Sequence, residues 1–137
     1  MLRKPRCTAD ALRGFLRGLQ NYGDRDFSIY MRRAFAKSMG YSHDELKRPV
    51  VGIAFTHSKF NPCHRHFPEL LDAIKRGIAS AGGLALEFPT ISLHESFAAP
   101  TSMYLRNLMS IDTEELLRAQ PMDAVVLIGG CDKTRSE

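Results

Sequence analysis

Three apolar runs punctuate the chain, at Val50–Phe55, 84–88 and Ala124–Ile128. Each is continuous rather than alternating, the pattern of a strand covered on both faces, as in a parallel sheet. Between the first two runs, Phe67, Leu70, Leu71, Ile74, Ile78 and Ala81 recur at helical spacing and predict a helix that Gly82-Gly83 stops. Between the second and third, the pattern predicts a helix over about 101–110. Asp112-Thr113-Glu114-Glu115 then reads as a fresh N-cap with an acidic first turn, opening a further helix that Pro121 closes.

Ahead of the first run the chain reads as helical. Leu12, Phe15, Leu16 and Leu19 predict a helix over 8–20, although Gly14 and Gly18 weaken it. A turn over 21–24 leads to a helix over about 27–38, with Gly40 as its stop, and Ser42-His43-Asp44-Glu45 has the form of a capping box before Pro49. The order strand, helix, strand, helix, strand predicts an α/β fold. We expect a doubly wound parallel sheet of at least three strands with flanking helices and right-handed crossovers. Residues 1–48 form the helical amino-terminal segment of this scheme and residues 49–137 the sheet-bearing part. No internal repeat or low-complexity segment interrupts it.

A length of 137 residues, 44% hydrophobic and 25% charged, suits one globular domain. No apolar run approaches the roughly 18 residues of a membrane span, and the basic start is not followed by a signal-peptide core. The expected location is therefore the cytoplasm, with no membrane partner. Residues 1–50 hold 11 Lys or Arg against 5 Asp or Glu, so the net charge of +4 divides into +6 there and −2 in the remainder. Those basic residues come without a recognised nucleic-acid module or aromatic platform, and no nucleic-acid partner is expected. Cys7, Cys63 and Cys131 are odd in number and widely spaced, unlike a secreted disulfide framework.

Chemistry concentrates just past the strand ends, where open α/β sheets place their ligands. Cys63 follows the first strand, Glu95 the second, and Gly129-Gly130-Cys131-Asp132-Lys133-Thr134 the third. Thiolates suit zinc or iron–sulfur clusters and carboxylates suit Mg²⁺, so two unlike inorganic centres side by side would use both sets. A single zinc site from Cys63, Cys131 and His64 or His66 stays open at this point, as does Cys-His nucleophilic catalysis by Cys63 with His57 or His66. Neither a dinucleotide fingerprint nor a phosphate loop is present.

Several motifs in uninterrupted order over residues 26–134 carry a resemblance. They are Arg48-Pro49-Val50-Val51-Gly52-Ile53-Ala54, Asn61-Pro62-Cys63-His64, Ala81-Gly82-Gly83 with Glu87-Phe88-Pro89, and Ile91-Ser92-Leu93-His94-Glu95-Ser96-Phe97. Pro100-Thr101-Ser102-Met103 with Arg106-Asn107-Leu108-Met109 and the closing hexapeptide from Gly129 complete the set. Together they resemble the amino-terminal domain of the dihydroxy-acid dehydratase and 6-phosphogluconate dehydratase family, above all its sugar-acid branch, the L-arabonate and D-xylonate dehydratases.

The resemblance implies a hydro-lyase that removes water from a 2,3-dihydroxy sugar acid to give a 2-keto-3-deoxy acid. It also implies an iron–sulfur cluster, 2Fe-2S or 4Fe-4S, on three cysteines, with Cys63 and Cys131 at the first two positions. A Mg²⁺ would be held by Glu95, Asp132 and Lys133. Lys133 is carbamylated in family members, which turns an ammonium that cannot bind a cation into an anionic ligand. Thr56, Ser58 and His64 are candidate substrate contacts.

Family enzymes are several hundred residues long. The resemblance therefore implies that this is the incomplete amino-terminal domain of a larger enzyme, inactive alone, with the third cysteine and the catalytic base supplied elsewhere and the parent a homo-oligomer. The rival readings are a non-catalytic binding or subunit module of the same descent, and the branched-chain amino-acid dihydroxy-acid dehydratase.

Overall fold

The structure is a computed structural model that describes residues 13–19 and 22–131. Cys7, Asp132 and Lys133 lie outside the described residues.

Strands β1 (Val50–Phe55), β2 (Leu84–Pro89) and β3 (Ala124–Ile128) form one parallel sheet in the order β2-β1-β3. In register, Phe55 stands beside Pro89 on one side and Ile128 on the other, so all three carboxyl ends share one edge. Helix α2 (Phe67–Ser80) connects β1 to β2, and α3 (Met103–Ala119) connects β2 to β3.

The two faces of the sheet follow the period-two alternation of β1. Ile53 and Ile128 pack with Phe67 and Leu71 of α2, flanked by Phe55, Ile74, Ile78, Ala85 and Val126. Val50, Ala54, Leu84, Phe88 and Met122 face the other way, against Leu116 and Leu117 of α3 together with Phe15 and Tyr41. One helix thus covers each face, and the winding reverses at β1, which puts the topological switch between β1 and β3. Within the α2 stripe, Leu70 at 39% exposure and Ala81 stand outside the core. A Lys75–Glu87 ion pair ties α2 to β2.

Two predicted elements differ. Residues 13–19 hold a 3-10 turn at Gly14–Leu16 rather than an α-helix, because Gly14 and Gly18 adopt φ of +51° and +61°. An alanine Cβ at Gly14 would also stand 2.8 Å from the Arg48 carbonyl oxygen. The carbonyls of this segment are held by Arg32 of α1 (Arg25–Ser38) instead of by helical amides. Its guanidinium donates to Phe15 O and Gly18 O, each at 3.0 Å, and to Arg17 O.

The second difference is in α3, which runs unbroken through 110–112. Thr113, expected in a new N-cap, is buried and its hydroxyl donates back to Met109 O at 2.7 Å. That bond satisfies the hydroxyl inside the helix, so no cap is needed. The capping box does form: Glu45 Oε2 accepts from Ser42 N at 2.8 Å, and Ser42 Oγ accepts from Glu45 N at 3.3 Å.

Candidate functional site at the carboxyl rim of the sheet

Each strand runs out into a loop built from local turn chemistry. After β1, Asn61 caps a 3-10 turn over Pro62–His64, its Oδ1 accepting Cys63 N at 3.0 Å, with Pro62 at the first position, where a missing N–H costs nothing. After β2, His94 caps the turn Glu95–Phe97 by accepting Ser96 N on Nδ1 at 3.3 Å. After β3 the chain reaches Gly130 and Cys131. Cys63 and Cys131 are half-buried, whereas Glu95 is exposed.

Buried polar contacts stitch the three loops together. Thr56 Oγ1 donates to Ile128 O at 3.0 Å, joining the ends of β1 and β3. Asn61, 2% exposed, donates through Nδ2 to Leu93 O at 3.1 Å and faces His64 Nε2 at 3.0 Å. Ser92 Oγ lies 3.1 Å from His64 Nδ1. The His64 ring is fully buried and stacks on Phe67 with centroids 4.2 Å apart.

The tautomer of His64 follows from its partners. Asn61 Oδ1 is committed to the Cys63 N–H, so its Nδ2 is the donor and His64 Nε2 the acceptor. The ring proton therefore sits on Nδ1, toward Ser92. Burial lowers the His64 pKa from its ordinary value. A backbone hydrogen bond at Thr56 opposes that, and the neighbouring His57, His66 and His94 lower it further. The ring is neutral.

Gly130 closes the rim against these groups. An alanine Cβ there would stand 2.9 Å from His64 Cδ2, 3.1 Å from Cys63 O and 3.1 Å from Phe67 Cζ. The chain segment that carries Cys131 thus lies directly on the turn that carries Cys63, and the pair flanks the switch between β1 and β3.

Of the residues singled out from sequence, Thr56, Cys63, His64 and Cys131 come together here. Asn61 and Leu93 tie the Glu95 loop to them, and Ser58 holds the intervening turn by accepting Phe60 N on Oγ at 3.2 Å. Among the described residues no three His, Cys, Asp or Glu side chains form a metal-binding group. Asn61, Ser92 and Gly130 were not singled out as site residues. An Asn immediately before a Pro is an N-cap signature that would have found Asn61. Ser92 and Gly130 stand within the strand-end motifs, but their contacts with His64 join segments far apart in sequence.

The donor chemistry at this edge, two thiols from neighbouring loops and a carboxylate from the third, fits a soft metal cluster beside a hard cation. No helix among the described residues is long and apolar enough to cross a membrane.

Comparison with known proteins bears on the same region. The family model for the dihydroxy-acid/6-phosphogluconate dehydratase N-terminal domain matches residues 48–136. The chain is 46% identical over 120 residues to an L-arabonate dehydratase of Azospirillum brasilense, covering 87% of this chain and 21% of that protein. It is 38% identical over 109 residues to a D-xylonate dehydratase of Caulobacter vibrioides, covering 78% and 18%. It is 36% identical over 106 residues to a dihydroxy-acid dehydratase of Clostridium novyi, covering 74% and 19%. The chain spans about a fifth of the length of these curated relatives.

Proposed function

The chain belongs to the dihydroxy-acid/6-phosphogluconate dehydratase family, and from that premise we propose that it is the amino-terminal part of a hydro-lyase acting on a sugar acid. The reaction removes the proton on C2 and the hydroxyl on C3 of a 2,3-dihydroxy acid as water, and the enol left behind tautomerises to a 2-keto-3-deoxy acid. The observation that carries this reading is the convergence of three strand-end loops on one rim, with the Gly130 backbone seated against Cys63 and His64.

Cys63 and Cys131 would hold an iron–sulfur cluster, and Glu95, with Asp132 and a carbamylated Lys133, a Mg²⁺. Bound there, the two centres supply Lewis acidity toward the leaving hydroxyl and the substrate carboxylate. The chain's own contribution is placement. The neutral His64 ring fills the space beneath the rim and keeps water from it, and Thr56 fixes β1 to β3 under the thiols.

Among the described residues the rim carries two thiols, fewer than a cluster's usual cysteine complement, and we expect these 137 residues to be inactive by themselves. Thiols kept for metal binding suit a reducing compartment, which supports a cytoplasmic location for the enzyme. Exposed Tyr30 and Phe35 on α1, and Tyr104 and Leu108 on α3, suit contacts with further polypeptide in a homo-oligomer.

The test is anaerobic iron and sulfide reconstitution with Mg²⁺ and either L-arabonate or D-xylonate. The polypeptide its gene encodes is expected to bind iron and form keto acid, to lose both on Cys63→Ser or Cys131→Ser, and the isolated chain to form none. Keto-acid formation undiminished in both cysteine variants would overturn the assignment.

A further inference from the structure

We infer that Asn61 is a positioning residue that sets the spacing between the cysteine-bearing turn, the Glu95 loop and the Gly130–Cys131 turn. The inference rests on the proposed cluster and cation reading, and adds to it a residue that holds the donors without touching them.

Asn61 is among the most deeply buried side chains of the described residues, and three of the four hydrogen-bonding positions of its amide have a use. Oδ1 accepts the Cys63 N–H at 3.0 Å; one Nδ2 hydrogen goes to Leu93 O at 3.1 Å and the other to His64 Nε2 at 3.0 Å. The first bond fixes the backbone that carries a thiol. The second reaches across 32 residues to the loop in which Glu95 lies two positions on. The third fixes the plane and tautomer of the ring against which Gly130 packs. One planar group therefore touches the supports of all three donor segments.

No other residue type reproduces this set. Serine at this position would cap the turn but has one hydrogen and too short a reach for Leu93. Aspartate would accept from Cys63 N but has no proton for Leu93 O or His64 Nε2. Outer-shell groups of this kind typically change metal affinity by about 10–100-fold when removed.

The experiment uses the gene-encoded polypeptide, reconstituted with iron and sulfide, with Asn61→Ala, Asn61→Asp and Asn61→Ser beside the wild type. Leu84→Ala, a buried change at the start of β2, the end of the sheet opposite the rim, controls for general loss of stability. The readouts are the rate of iron release to a chelator, the visible circular dichroism of the cluster and the thermal midpoint. All three Asn61 variants are expected to release iron about tenfold faster or more with an altered cluster spectrum. Leu84→Ala is expected to lower the midpoint while leaving release within about twofold, as for a distant independent site. If Asn61→Ser held iron as well as the wild type, or if release tracked the midpoint equally in Leu84→Ala, the inference would be overturned.

A second readout needs no cluster. In metal-free protein labelled with ¹⁵N-histidine, with His64→Gln to identify the resonance, His64 is expected to carry its proton on Nδ1. A proton on Nε2 would mean that Asn61 does not donate to it and would also overturn the inference. A wild type that binds no iron, with His64 protonated on Nδ1, would refute the dehydratase reading and uphold Asn61 as the tie between the loops.

Discussion

Asp123 Oδ2 accepts the backbone N–H of Val50 at 2.8 Å, binding the start of β3 to the start of β1 across 73 residues of chain. The same oxygen accepts Gly14 N at 2.8 Å, while Asp123 N donates to Val50 O at 2.8 Å and Arg17 donates to Met122 O at 2.7 Å. The amino-terminal turn is therefore docked on the edge of the sheet opposite the rim. Hydrogen bonds to a charged acceptor contribute about 1.5–3 kcal/mol each, and the partial exposure of this carboxylate argues for the lower end. Asp123→Ala is expected to cost about 2–4 kcal/mol in urea unfolding. Asp123→Asn, which keeps an acceptor oxygen, should cost distinctly less; equal losses would mean that the two amides do not depend on that oxygen.

The parts of this fold that could be read from sequence are those whose signal is local. The run Val50–Phe55 and the run Ala124–Ile128 are strands with the expected bounds, and the Phe67 to Ile78 stripe is α2, because a buried strand or an amphipathic helix writes its environment into consecutive residues. The segment 13–19 could not be read this way. Its leucine and phenylalanine spacing is helical, but positive-φ glycines and the reach of Arg32 from another element decide its path. Likewise the acidic residues about Thr113 mimic a helix start, and only the burial of that hydroxyl reveals a continuing helix. At the site, the thiols and carboxylates were visible as types in strand-end positions. The Asn61, His64 and Ser92 contacts were not, since each joins residues that meet only after the sheet has formed.

Gly130 has no room for a side chain. Adding a methyl group would force it within 2.9 Å of His64 Cδ2 and 3.1 Å of Cys63 O. Overpacking of this order costs about 1–3 kcal/mol, and the yielding partner must be either the His64 ring or the Cys63 turn. Gly130→Ala is expected to lower the unfolding free energy by that amount, with a lower denaturation midpoint, and to shift the backbone amide resonances of Cys63 and His64. An unchanged midpoint would show that the β3 turn does not rest on the β1 loop.

Thr56 Oγ1 is buried and donates to Ile128 O at 3.0 Å. Thr56→Val preserves shape and leaves a buried carbonyl without this donor, a loss of about 1–3 kcal/mol, whereas Thr56→Ser keeps the bond and loses only a methyl group. Chemical denaturation of both variants checks the order. A valine variant at least as stable as the serine variant would remove the hydroxyl as the pin between β1 and β3.

Thr90, one residue past β2 on the same edge, presents the opposite case: its Oγ1 is buried yet has no hydrogen-bond partner among the described residues. A hydroxyl taken from water without compensation is unfavourable by about 1–3 kcal/mol, and replacing it with a methyl group of the same shape relieves that cost. Thr90→Val is therefore expected to leave stability unchanged or raise it by up to about 1 kcal/mol, opposite in sign to Thr56→Val although the chemical change is identical. Denaturation of the two valine variants side by side makes the comparison. A matching loss in both would mean that the Thr90 hydroxyl is engaged by a group beyond the described residues, and would move Thr90 from an uncompensated position to a structural part of the rim.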